Sequence, residues 1–243
     1  MANDIRIGTA GWSFPRTLDG FPAEGTGLER YAAVFNGVEI NSSFYRPHQR
    51  KTYERWAAST PADFRFAVKV PRTITHERRL VDCTEPQARF LDECGGLGEK
   101  LGPLLIQLPP SLKFDAGAVE QFMTTWRKAT PALTVLEPRH ATWFDPAADA
   151  LLRYFQVARV AADPAVVPAA AMPGGWTGLT YRRLHGSPAM YKTSYDDGRL
   201  ERLAEQIAGK TEAAENWCIF DNTQFGAATT DGLKLKALTS PAP

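Results

Sequence analysis

Residues 37–47 read GVEINSSFYRP, a stretch that begins apolar and ends in polar and aromatic groups. Side chains alternate faces along a strand, so Val38 and Ile40 share one side while Glu39, Asn41 and Ser43 share the other. A carboxylate and an amide on the hidden face of a strand need partners. Taken alone, the simplest reading of Glu39 is a solvated strand end with no chemistry, and only the flanking chain can change that.

Working outward, the stretch is embedded in a regular alternation. Upstream lie a strand at 5–12, IRIGTAGW, a turn-rich segment, and LERYAAVF, where Leu28, Tyr31, Ala32 and Phe35 recur at helical spacing. Downstream come a helix at 51–59, a strand at 64–70 and a helix from Pro86 that breaks near Gly95 and Gly96. A buried strand, PLLIQLPPS, stops at Pro109 and Pro110, and a helix at 116–129 aligns Val119, Phe122, Met123 and Trp126. Then follow LTVLEPRH as strand, a helix capped by Asp145 with Pro146 at its first position, and VARVAAD as strand. Residues 164–178 form a loop without a clear helix. A strand at 179–186, a helix at 196–209, a strand at 216–222 and a short helix at 232–238 complete the chain.

Eight strands separated by helices are the signature of a parallel sheet, and eight such units in 243 residues have the size of a (β/α)8 TIM-type barrel. The competing open sheet usually carries a glycine-rich phosphate turn after its first strand. Here GTAGWS holds Gly8 and Gly11 three apart with no GxGxxG. With no composition break, residues 1–243 are expected to form a single α/β barrel domain.

Composition narrows the chemistry. The net charge of +1 offers no bulk argument for nucleic acid or membrane, so recognition of charge has to be local. Cys83, Cys94 and Cys218 are widely spaced with no CxxC pair, against a disulfide framework, a thiolate zinc site or an iron–sulfur cluster. The N-terminus MANDIRIGTAGW has no signal-peptide pattern, and no apolar run approaches a transmembrane length. A soluble, cytoplasmic protein is expected. No motif names a cofactor.

In barrels of this kind chemistry sits at the C-terminal strand ends. Polar groups gather there on nearly every strand: Trp12; Glu39, Asn41 and Tyr45; Lys69, with His76 just beyond; Gln107; Glu137, Arg139 and His140; Asp163; Arg183 and His185; Asp221 and Asn222. Parity places Lys69, Glu137, Arg139, Arg183 and His185 inward. It also places Asp163 inward, opposite Ala158, Val160 and Ala162, on the expectation that aliphatic residues face the helices. Whether Asp221 or Asn222 points inward stays open.

The motifs GTAGWSF, FNGVEINSSFYRP, FRFAVKVPRTITHERRL, GPLLIQLPPSLKFD, EPRHATWF, YRRLHG and FDN, in that order, resemble the YecE-like family, known as domain of unknown function 72. The resemblance covers essentially the whole chain and implies a TIM-type barrel, but it implies no reaction. Two departures stand out: Glu137-Pro138-Arg139-His140 where relatives carry Glu-Phe-Arg-His, and Phe220-Asp221-Asn222 where they carry Phe-Asn-Asn.

Three functions fit these residues. The first is a metal-independent acid–base enzyme, a hydrolase or lyase, acting on a small or oligomeric anion that includes phosphate or nucleotide. Glu39, Lys69, Glu137 and His185 would carry the chemistry, because carboxylates in unlike environments divide acid and base roles. Trp12, Asn41, Tyr45, His76, Gln107, Arg139, His140, Asp163, Arg183 and Asn222 would bind substrate, the arginines through their planar forks. The second is a divalent-metal phosphoesterase, disfavoured by the lack of HxH or HExxH spacing and by Lys69 and two arginines at the same mouth. The third is a non-enzymatic nucleotide or nucleic-acid binding module, weakened by the near-zero net charge.

Overall fold

The computed structural model describes residues 4–209 and 213–239. The segment 1–3, part of the reading against a signal peptide, and the ends of the 1–243 domain range lie outside the described residues. Among the described residues, ten strands and eight α-helices follow one another as β1 (Asp4–Thr9), α1 (Gly27–Ala32), β2 (Gly37–Ile40), α2 (Ser42–Tyr45), α3 (Arg50–Ala58), β3 (Arg65–Lys69), α4 (Thr84–Cys94), β4 (Leu101–Gln107), α5 (Ala116–Ala129), β5 (Thr134–Glu137), α6 (Pro146–Tyr154), β6 (Val157–Arg159), β7 (Ala161–Asp163), β8 (Gly174–Gly175), β9 (Leu179–Leu184), α7 (Asp197–Ala208), β10 (Glu215–Phe220) and α8 (Ala227–Thr239).

The strands make two α/β sheets, one ordered β1-β10-β9-β7 and the other β2-β3-β4-β5-β6-β8. Every pairing is parallel except that of the two-residue β8 with β6. Two seams join the sheets. Ala10 and Glu39 form a single parallel bridge, with the Gly11 amide donating to the Glu39 carbonyl at 2.8 Å. At the other seam only Val160 separates β6 from β7, and its amide donates to the Leu136 carbonyl of β5 at 3.0 Å.

Local chemistry sets the helix starts. Thr26 and Glu29 form a reciprocal capping box at α1, and the carboxylates of Asp115 and Asp196 accept backbone amides at the heads of α5 and α7. Pro146 stands at the first position of α6 as expected, but the Asp145 side chain makes no capping bond there; fixed φ at Pro146 suffices. The last helix begins five residues earlier than the apolar pattern indicated, at Ala227 rather than Gly232. The loop 164–178 holds a 3-10 turn at Pro168–Ala171 as well as β8.

Two apolar clusters follow the two faces of the strands. Between strands and helices, Val38, Ile40, Val68, Ile106 and Leu136 pack against Tyr31, Phe35, Phe122 and Trp126. On the opposite face Ala67, Leu105, Val135, Ala158, Val160, Leu179, Tyr181, Trp217 and Ile219 pack against one another. Trp217 fills the lower part of this inner cluster, and a methyl added at Gly102 would lie 2.8 Å from its ring. Tyr181 stacks on Trp217 with ring centres 5.9 Å apart and planes 16° apart.

The inner cluster overturns one expectation. Ala158 and Val160 belong to it, so Asp163, of opposite parity, lies on the helix side, where Arg199 of α7 pairs with it at 2.9 Å. Arg159 shares that outer side and meets Asp149 of α6 at 3.3 Å. On this strand charged helix partners, rather than aliphatic packing, define the outer face.

Candidate active site

The charged groups at the strand ends form one buried network centred on Arg183 of β9. Its guanidinium donates to Glu39 of β2 through Nε (3.0 Å) and Nη2 (2.7 Å), to Glu137 of β5 through Nη1 (2.6 Å), and to Asp221 through Nη2 (2.8 Å). Arg183, Glu39 and Glu137 are fully buried. The Tyr181 hydroxyl adds a bond to Glu39 Oε2 at 2.8 Å, which links the network to the stacked Trp217 below. Desolvation of an ion costs several kcal/mol, on the order of what close opposite charges return, so the bidentate geometry is what offsets the burial of these groups.

His185, two residues along the same strand, sits between two of the carboxylates. Its Nε2 lies 3.0 Å from Glu137 Oε1 and its Nδ1 3.1 Å from Asp221 Oδ2. Arg139 reaches the same Glu137 oxygen at 2.5 Å. Burial pushes the Glu137 carboxyl up, but Arg183, Arg139 and His185 together hold it well below the usual range. Asp221 is likewise lowered, with burial opposed by Arg183 and His185.

Lys69, at the end of β3, is the exception in this network. It is 7% exposed, and its ammonium makes no hydrogen bond or ion pair among the described residues. Instead it stands 4.3 Å over the ring of Phe44. Burial, then the nearby Arg183, push its pKa down to about 8, although Glu39, Glu137 and Asp221 oppose the shift.

Among the described residues, Nε of Arg139, Oδ1 of Asn41 and Oδ1 of Asn222 are buried around this network without a partner. Asn41 lines a cavity with Trp12, Phe14 and Ser42 beside the end of β2, and Trp12 packs edge-on against Trp56 at 5.1 Å. Tyr191 covers His185 with ring centres 5.7 Å apart and is 42% exposed.

The structure therefore brings Glu39, Lys69, Glu137, Arg139, Arg183 and His185 together, with Trp12 and Asn41 at the adjoining cavity. Gln107 stands in register beside Glu137. Of the remaining predicted residues, His76 stands on the same Phe44 ring as Lys69. Tyr45 is 73% exposed. His76 packs on Phe44 and bonds Thr75 Oγ1 at 2.9 Å, and His140 caps a 3-10 turn through Thr142. Asn222 donates to the Thr193 carbonyl and to Asp231. Asp163 faces α7, as described above. The open choice on β10 resolves to Asp221, which shares the parity of Trp217 and Ile219; the alternation Trp217, Ile219, Asp221 was the available signal.

Fold and site together define an α/β protein of parallel strands with an arginine-centred ionic network at their C-terminal ends. The chain belongs to the DUF72 family, proteins of unknown function, whose family model matches residues 6–242. It is 37% identical over 106 residues to the UPF0759 protein YecE of Escherichia coli K12, covering 43% of this chain and 38% of that protein. With the UPF0759 protein YunF of Bacillus subtilis it shares 29% identity over 153 residues, or 58% of this chain and 53% of YunF. The matches thus span roughly two-fifths to a half of those relatives. Two crystal structures have the same fold: a DUF72 family protein of Enterococcus faecalis, with TM-score 0.81 at 21% identity over 98% of this chain and 96% of that one, and one of Thermotoga maritima, with TM-score 0.79 at 25% identity over 97% and 99%. No helix among the described residues is long and apolar enough to cross a membrane.

Proposed function

We propose that this chain is a metal-independent acid–base enzyme of hydrolase or lyase type, acting on an anionic substrate, with Lys69 as the proton-carrying group. In this reading the two sheets are one closed (β/α)8 barrel and one domain. The Ala10–Glu39 bridge and the Val160 bond at the two seams support closure.

The observation that carries the reading is Lys69: a residue only 7% exposed whose amine meets no acceptor among the described residues, a pKa near 8, and a three-carboxylate network beside it. An acid–base group works best with its pKa near the operating pH. Glu39 and Glu137 then hold Arg183 and set the field around Lys69, rather than dividing acid and base roles between themselves. Arg183 is consumed by these carboxylates, so anion binding falls to Arg139, which pairs with Glu137 through Nη2 alone.

The metal-dependent alternative is weakened because the Arg183 guanidinium stands among Glu39, Glu137 and Asp221 where a divalent cation would have to sit. The test is a screen of phosphate esters, sugar acids and nucleotides for turnover by the intact chain, followed by Lys69→Met on any substrate found. A loss of about 100-fold or more is expected. Undiminished turnover by Lys69→Met on that substrate sinks the reading.

A further inference from the structure

Building on the reading above, we infer that Lys69 is also a nucleophile, forming an imine with a substrate that is a carbonyl compound carrying an anionic group. An amine adds to a carbonyl only once deprotonated, and no acceptor among the described residues bonds the Lys69 ammonium to hold it in the charged form. Desolvation and a neighbouring cation are the two devices that activate a lysine for this chemistry, and burial and Arg183 supply both. The Phe44 ring closes one side of the ammonium, so a reactant has to approach from the other.

Two further groups fit the rest of such a substrate. Arg139 engages Glu137 through Nη2 alone, so its other terminal N–H group can take an anionic oxygen. Asp221 uses only Oδ2 toward Arg183 and His185, which leaves Oδ1 for moving protons between the nitrogen and oxygen.

The step balances without an oxidant. The neutral amine attacks the carbonyl carbon, forming the C–N bond and breaking the C–O π bond. A proton passes from nitrogen to oxygen to give the carbinolamine. Protonation by solvent then expels water and leaves a protonated imine. Hydrolysis reverses the sequence.

The test uses the intact chain with glyoxylate, a small aldehyde carrying a carboxylate, and sodium cyanoborohydride, which reduces the imine to a stable secondary amine. Peptide mapping by mass spectrometry at pH 8 is expected to find the carboxymethyl adduct on Lys69 in several-fold excess over the exposed Lys51. Adduct on Lys51 with Lys69 unmodified overturns the inference, and the measurement needs no variant that has to fold. The two readings fail separately. An unmodified Lys69 together with lost turnover in Lys69→Met removes the imine and keeps the acid–base role, whereas a labelled Lys69 with undiminished turnover in the variant removes the acid–base role.

Discussion

At Lys69, burial and Arg183 favour the neutral amine, while three carboxylates and the face of Phe44 favour the ammonium. The balance makes two outcomes measurable without knowing the substrate. In an NMR titration of its side chain, Lys69 is expected to lose its proton near pH 8. Phe44→Leu removes a cation–π contact worth about 0.5–1 kcal/mol, equivalent to about half a pKa unit, so the midpoint falls further. A midpoint that rises in Phe44→Leu contradicts this account. Arg183 is the other extreme. Arg183→Met leaves three carboxylates without their common partner, and a loss of about 3–5 kcal/mol is expected in denaturant unfolding. The types of these residues were legible in sequence, because charge at the end of successive strands is an unusual pattern. Their division of labour was not: Arg183 looked like a substrate fork until its donors were seen to point at Glu39, Glu137 and Asp221.

At the scale of elements, close approach of strands is set by residues that lack a side chain. A methyl at Gly8 of β1 would lie 2.1 Å from the Gly37 carbonyl oxygen of β2, a backbone atom that cannot rotate away. At Gly102 of β4 the obstacle is chiefly the Trp217 ring. Both Gly8→Ala and Gly102→Ala are expected to destabilise, by about 1–3 kcal/mol. Trp217→Phe should recover part of the loss at Gly102 and none at Gly8, which a double-mutant cycle reads directly. Equal recovery at both sites would contradict the assignment. Strand positions were readable from alternation and from the turn residues between runs. Which face of β6 and β7 turned inward was not, since Ala158, Val160 and Ala162 suit either side. The tie is broken by Asp149, on the helix just before β6, and by Arg199, on α7 well beyond β7; neither lies on the strand itself, so parity carries no mark of them.

For the whole molecule, the network ties acid stability to its carboxylates. Glu137 and Asp221 have pKa values below their ordinary ones, so between the two values the unfolded chain binds more protons than the folded one. Their contribution is present above the ordinary carboxylate range and is lost as pH falls from about 4.5 through the lowered folded-state values. Glu137→Gln is expected to lower stability at neutral pH and flatten its decline in acid. An unchanged slope would show that other groups drive acid unfolding. The order of elements was legible because each helix and strand declares itself locally, whereas the ionic network depends on partners as far apart as Glu39 and Arg183. That separation has a further result. Glu39 and Glu137 stand on the six-stranded sheet, and Arg183 on the four-stranded one with Asp221 just past the end of β10. Neither sheet can come apart from the other without breaking the pairs that Arg183 makes to Glu39 and Glu137, so the arrangement acts as a cooperativity device: equilibrium unfolding should proceed in one step, with no half-molecule surviving on its own.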